Sequence, residues 1–372
     1  MSLSITAAFA DLPDPRLDRN KLHQLTDIIT IALCAVLCGA NGWEQIAAFA
    51  EAKKAWFKRF LSLLNGFPSH DTFYRVFSRI KPTTFAQCFS QWMLAACEVT
   101  GLIPIAIDGK SARRAKRNTA TGCLHHVSVW ATVNRLTLGQ VAVEDKSNEI
   151  TAIPELLKML ELKGAIVTID AAGTQLENAK LIREGEGHYI LPVKGNQPTL
   201  EIAVEQVFMN AADKDFADVK VDYHETVEDG HGRHEERYVT VIYNPKGLPV
   251  EWPDVAAVVL ISRERQVKGK KNASNNQFYI TSYAGKAKEI GGLIRGHWAI
   301  ENEVHWVLDV AFREDESRTQ ERNAGANLSI LRKVALSLLK KAKAKGSIET
   351  RRLRAGWDDE FLYEVLQGFP GD

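Results

Sequence analysis

The sequence has little that could staple it or anchor it. Its 372 residues include five cysteines, Cys34, Cys38, Cys88, Cys97 and Cys123, with no CxxC pair and no Cys/His cluster at zinc-ligand spacing. The number is odd, and Cys34 and Cys38 lie inside an apolar helical pattern, so they read as small buried hydrophobes in a reducing compartment. The N-terminus MSLSITAAFADLPDPRLDRN has no basic region followed by an apolar run, so no signal peptide is expected. The most apolar stretch, Ile28 to Ala40, is too short to span a bilayer. Net charge is missing too: 47 Lys and Arg against 46 Asp and Glu gives +1, so only the local distribution of charge can speak about nucleic acid. These absences imply a cytoplasmic soluble protein with no membrane contact. At roughly 100–200 residues per domain, the length suggests two or three domains.

Residues 1–20, with Pro13 and Pro15, are expected to form a loose arm. Residues 21–100 carry a helical period, with Leu25, Ile28, Ile29, Ala32, Val36 and Leu37 three and four apart. Asn41-Gly42 breaks that helix, Trp43 starts another, and Ser69 or Asp71 caps the helix holding Phe73, Val76 and Phe77. Short helices with tight turns suit a helix-turn-helix DNA module, and suit any small bundle equally.

From residue 102 the period changes. IPIAID (103–108), the alternation at Val127–Val133, and Gly139–Glu144 read as three strands joined by short turns. A helix around Ile153, with Pro154 in its first turn, is followed by the strand AIVTID (165–170), a helix at 175–184, the strand HYILPV (188–193) and a helix from Thr199. A meander followed by βαβ units is the order of a ribonuclease-H-like core with a mixed sheet, here over residues 101–215. Residues 216–285 read as a β-rich insertion, residues 286–350 as helices completing the core, and residues 351–372 as a tail.

Asp108 and Asp170 each end an apolar strand and precede a small residue, Gly109 or Ala171. On parallel strands both would lie at the carboxyl ends, where open α/β sheets carry their sites. Asp is also common after strands as a turn or cap residue, and for one aspartate that reading would suffice. Two carboxylates on neighbouring strands repel by roughly 1–4 kcal/mol at about 4 Å, and a hard divalent cation relieves the conflict. Such sites perform phosphoryl transfer on polyanions. Local charge agrees: residues 110–117 carry Lys110, Arg113, Arg114, Lys116 and Arg117 for a net +5, and residues 332–354 carry a net +8. The stretch Arg332–Lys345 is expected to be a helix with one wet, basic side. A third acid should come from the helix after Arg295. Glu301 and Glu303 point roughly 160° apart, so only one can face the same side. His297 and His305 flank Glu301 at i−4 and i+4 as a polar ridge, which favours Glu301 and suits contact with a carboxylate or a phosphate.

The segments IAIDGKSARRA, DKSNEITAIPELL, VTIDAAGTQ, YILPVKGNQP, EDGHGRHEER, RGHWAIENEVHWVLDVAFRED and NLSILRKVALSLL together resemble the H-repeat-associated DDE transposases of bacterial insertion sequences. The run through GWEQIAAFA and PSHDTFYRVF resembles that family's associated helical domain. The resemblance spans Phe9 to about Leu339. It implies a ribonuclease-H-like core, cutting and joining of double-stranded DNA at element ends, two Mg2+ or Mn2+ ions per site, and a homo-oligomer on DNA. Carried over, it makes Asp108, Asp170 and Glu301 the catalytic and metal-holding acids. The expected DNA contacts are Lys110, Arg113, Arg114, Lys194, Arg233, Arg295, His297 and His305. The sequence departs from the pattern at Ala172, where Met is expected. His297 stands where the wider group of insertion-sequence transposases carries Arg, and Leu308 where it carries Lys. Two other readings of the chain are a domesticated or inactive relative that only binds DNA, and a structure-specific nuclease.

Overall fold

The computed structural model describes residues 9–18, 21–95, 103–111, 125–131, 136–143, 149–230, 233–249, 251–267, 273–319 and 321–367. In chain order the first helices are α1 (Leu25–Leu37), α2 (Trp43–Ala52), α3 (Lys54–Phe57), α4 (His70–Arg79) and α5 (Pro82–Ala95). Then come strands β1 (Ile103–Ser111), β2 (His125–Ala131) and β3 (Leu136–Val143), helix α6 (Glu149–Lys158), β4 (Ala165–Ile169), α7 (Leu176–Glu184), β5 (His188–Val193) and α8 (Pro198–Ala212). Strands β6 (Val221–Gly230), β7 (Arg233–Tyr243), β8 (Ala257–Val267) and β9 (Ala273–Thr281) follow. The chain continues with α9 (Ala287–His297), a π-helical stretch at Glu301–His305, α10 (Trp306–Phe312), α11 (Arg322–Lys341), α12 (Ile348–Trp357) and α13 (Asp359–Gln367). The fold is mixed α/β, and no helix among the described residues is long and apolar enough to cross a membrane.

Two compact units result: Met1–Thr100, Gly109–Asn148 and Ile300–Asp372 form the first, and Gly101–Asp108 with Glu149–Ala299 the second. The N-terminal helices share a unit with the C-terminal ones, and β6–β9 share a unit with β4 and β5. The reason in the first unit is α11. Instead of one wet, basic side it is buried from Ala326 to Leu339, and its polar side chains are satisfied by the protein. Asn327 donates to the carbonyls of Phe77 and Ile80 at 2.8 and 3.0 Å. Arg332 donates to the carbonyl of Asn41 at 3.0 Å. Lys333 donates to Ser128 Oγ at 2.7 Å and to Gln140 Oε1. Buried cations without such oxygens would not be tolerated.

Local signals behave as expected in several places. Ser69, of the two candidates, caps α4 by accepting from the Thr72 amide at 3.3 Å. The helix α2 begins at Trp43, but α1 already stops at Leu37, where Gly39 takes a left-handed φ of +108° ahead of Asn41-Gly42. Residues 9–18 are not loose: the Phe9 ring is 2% exposed and lies 4.5 Å from that of Phe89. Nor do residues 351–367 of the expected tail trail loosely. They belong to α12 and α13, which bury Arg352, Ala355, Phe361, Leu362 and Val365. Arg352 donates to the Val36 carbonyl at 2.7 Å and to that of Ala311, and its guanidinium lies 4.0 Å from the centre of the Phe312 ring.

In the second unit the strand order is β1-β4-β5-β9-β8-β7-β6. The first three strands run parallel and the rest antiparallel. In the first unit β2 and β3 pair antiparallel, as the short turn between them requires. The helix α9 lays Ala287, Ile290 and Ile294 against Val239, Val241, Val259 and Tyr279 of the sheet. The helix α6 starts at Glu149, so Pro154 stands inside it rather than in its first turn and cannot donate to the Ile150 carbonyl.

Burial pushes the Lys333 ammonium down to about 8, with the charge of Glu314 opposing. The unfolded chain, near 10.5, therefore binds more protons than the folded one across that window. Folding stability should rise with pH between about 8 and 10.5 relative to Lys333→Met, measured by chemical denaturation. A stability difference flat across that window would show that Lys333 keeps its ordinary affinity for the proton.

Candidate active site

Strands β1 and β4 are parallel, with Ile107 opposite Ile169. The next residue on each chain is Asp108 and Asp170, so the two aspartates stand at adjacent positions, on backbones about 4.8 Å apart. Both are partly buried and both belong to the second unit. The strand β1 does not stop at Asp108 as expected but continues to Ser111, while β4 ends at Ile169. Past Ile169 the chain enters a 3-10 turn, Ala171–Gly173, which Asp170 caps by accepting from the Gly173 amide at 3.0 Å. The cap occupies one carboxylate oxygen and fixes how Asp170 leaves the strand. A side chain at Gly173 would put its Cβ 2.1 Å from Ile169 Cγ2, so the turn admits no larger residue without rearrangement.

Three further groups lie on this unit. Lys194 is exposed just past β5, which pairs parallel with β4. Its loop is tied back to the Asp170 turn by Asn196, donating to the Ala171 carbonyl, and Gln197, donating to that of Thr174 at 3.0 Å. His297 ends α9 with Nδ1 3.0 Å from Thr168 Oγ1, and the same hydroxyl donates to the Ile105 carbonyl at 3.2 Å. Burial brings His297 down to about 4, only partly opposed by a hydrogen bond at Thr168, so the ring is neutral near pH 7. Thr168 carries no mark in the sequence beyond its place in a strand, and its contact with His297 could not be found there. Arg295 has a bidentate ion pair with Glu228, one arm at 2.7 Å, rather than an uncommitted guanidinium.

Glu301 belongs to the first unit, is exposed, and opens the π-helical stretch. The expected uninterrupted α-helix over 286–310 is thus broken by a wider turn, a feature frequent at functional sites. Glu303, on the same stretch, is held by Lys340 at 2.9 Å. His305 is partly buried, and its carbonyl lies 3.4 Å from the Lys110 ammonium. Among the described residues no group of three or more His, Cys, Asp or Glu is arranged to hold a metal ion.

Lys110, expected to face phosphates, turns inward. Its ammonium is bound by Asp309 and, at 2.9 Å, by Glu314, with the lysine side chain 9% and the glutamate 4% exposed. Burial alone would lower the lysine, but the carboxylates outweigh it and hold the ammonium above its ordinary value. Ser329 extends the cluster by donating to Glu314 at 2.8 Å. The sequence signal that could have found this pairing is the acid-rich AFREDE, residues 311–316. Arg113 and Arg114 lie outside the described residues, and of Arg233 only the backbone, at the start of β7, is described.

The family described as "Transposase DDE domain" matches residues 100–338, and a companion family, DDE_Tnp_1-associated, matches residues 6–93. The chain is 38% identical over 363 residues to YncI of Escherichia coli O157:H7, covering 95% of this chain and 92% of that one. It is 35% identical over 365 residues to the H repeat-associated YhhI of Escherichia coli K12, covering 96% of each. A piggyBac transposase synaptic complex with hairpin DNA aligns at a TM-score of 0.40 and 10% identity, over 100% of this chain and 83% of that chain.

Removing the Lys110 cation would strand two carboxylates in the interior. Lys110→Met is expected to destabilise the protein by about 3–5 kcal/mol. A loss below about 1 kcal/mol in urea unfolding would mean that water already solvates the pair.

Proposed function

The chain belongs to the DDE-domain transposases, and we propose that it cuts and joins double-stranded DNA at the ends of an insertion sequence with Asp108, Asp170 and Glu301 as its acids. The observation that carries this reading is the β1–β4 register, which sets two carboxylates side by side at the carboxyl edge of parallel strands. Two such anions disfavour each other's ionisation. An all-oxygen donor set beside a polyanionic substrate fits Mg2+ or Mn2+. Two bound divalent ions would activate the attacking oxygen and neutralise charge on the leaving one. The protein's own part is to keep both aspartates aimed, Asp170 through its cap on Gly173 and Asp108 through the strand on either side of it. Glu301 is preferred over Glu303 because Lys340 already engages the latter.

The parallel order β1-β4-β5, with helices between the last two, agrees with a ribonuclease-H-like core carrying β6–β9 as an insertion. Of the expected DNA contacts, Lys194 best suits a phosphate, being exposed and on the loop fastened to the Asp170 turn. A homo-oligomer bound to two element ends in the bacterial cytoplasm completes the reading.

Asp108→Asn and Asp170→Asn should each lose cleavage of the element's own ends in Mg2+ by more than the roughly 10–100-fold that outer partners of a metal site cost, while the fold persists. Glu301→Gln should lose it as fully, and Glu303→Gln should keep most of it. Wild-type cutting by a folded Glu301→Gln protein, with Glu303→Gln inactive, would reverse the assignment of the third acid.

A further inference from the structure

The hydrogen bond between His297 and Thr168 has a direction that can be worked out. Thr168 Oγ1 has a single proton, and at 3.2 Å that proton goes to the Ile105 carbonyl. Toward His297, 3.0 Å away, the hydroxyl can then only accept, so Nδ1 carries the ring's proton. The result is a relay across three elements: the last residue of α9 donates to β4, and β4 donates to β1. Its position matters because strand side chains alternate between faces. Thr168 stands two residues before Asp170 on β4, and its register neighbour Ala106 stands two residues before Asp108 on β1. The relay therefore crosses the two strands one pleat below the aspartates, on the same face. Thr168 is 5% exposed, so water competes little for either bond.

We propose that His297 is a positioning residue: through Nδ1–H and Thr168 it fixes the lateral spacing of β1 and β4 just below Asp108 and Asp170, and so the spacing of the two carboxylates. Nε2 takes no part in this role. A ring that stays neutral at physiological pH keeps the same donor throughout, and the low proton affinity of His297 meets that need. The inference rests on the reading of the two aspartates as a cation site.

The test separates the two ring nitrogens. Asparagine places its amide nitrogen as many bonds from Cα as Nδ1, and glutamine as many as Nε2. The probe is Mn2+ alone, titrated into the full chain and followed by electron paramagnetic resonance, so that the readout does not depend on DNA cleavage. His297→Asn and Thr168→Ser should bind Mn2+ within about threefold of wild type. His297→Gln and Thr168→Val should bind it about 10–100-fold more weakly, the range typical of groups that orient ligands. Equal weakening by Asn and Gln at 297 would overturn the proposal, as would unchanged binding by Gln and Val. If His297→Gln fails to give a wild-type circular dichroism spectrum, the comparison of Thr168→Ser with Thr168→Val decides in the same way. Asp108→Asn and Asp170→Asn are measured alongside. If they leave Mn2+ binding unchanged, it is the cation-site reading that fails.

Discussion

An ammonium group removed from water must be handed oxygen atoms, and around Lys333 that requirement organises the first unit. The lysine lies in the middle of a helix closed in on every side, and the oxygens come from two strands, Ser128 on β2 and Gln140 on β3. Ser329, one turn earlier on α11, reaches Gln140 at 3.3 Å and also Glu314, and Glu314 in turn holds Lys110 at the end of β1. One set of hydrogen bonds thus joins three strands, the turn after α10 and the central helix. Apolar packing tolerates small shifts, whereas a polar chain of this kind does not, because each broken link leaves a desolvated group unpaired. The N-terminal helices are drawn into the same arrangement by Asn327 and Arg332, which is why they form no unit of their own.

Parts of this were legible in the sequence because they rest on local chemistry. The runs IPIAID and AIVTID could hardly be anything but buried strands, and two helices between strands announce parallel neighbours. That logic was enough to bring Asp108 and Asp170 to one edge. The Trp43 start and the Ser69 cap were legible for the same reason. Tertiary partners were not. A stretch such as LRKVALSLLKK counts as basic in any sequence window, yet Arg332 and Lys333 are interior and Lys340 is committed to Glu303. Segment 348–367 is no more apolar than the chain as a whole, and its Arg352 meets a carbonyl, that of Val36, more than 300 positions earlier in the chain.

The same distinction divides the expected DNA contacts. Lys110 stands in basic surroundings along the chain and Arg295 does not, but each meets acid in space: Lys110 two carboxylates, Arg295 one. Lys194 has no flanking cluster and is exposed, whereas the likewise exposed Arg295 has its guanidinium on Glu228. Charge density along a sequence measures how many cations there are. Whether any is available to a phosphate depends on acids that the fold brings from elsewhere.

The π-helical stretch at Glu301–His305 sets the phase of the helix that follows it. Such a wide turn is what a helix becomes when it takes in one extra residue without giving up the contacts at its ends. Here a downstream contact is specific: Asp309 meets Lys110. A continuous α-helix through the same residues would turn every position beyond the bulge by about 100° and misplace Asp309. The bulge therefore decides which acid of the following helix reaches the buried ammonium, and the pairing of Lys110 depends on a turn that precedes Asp309 in the chain.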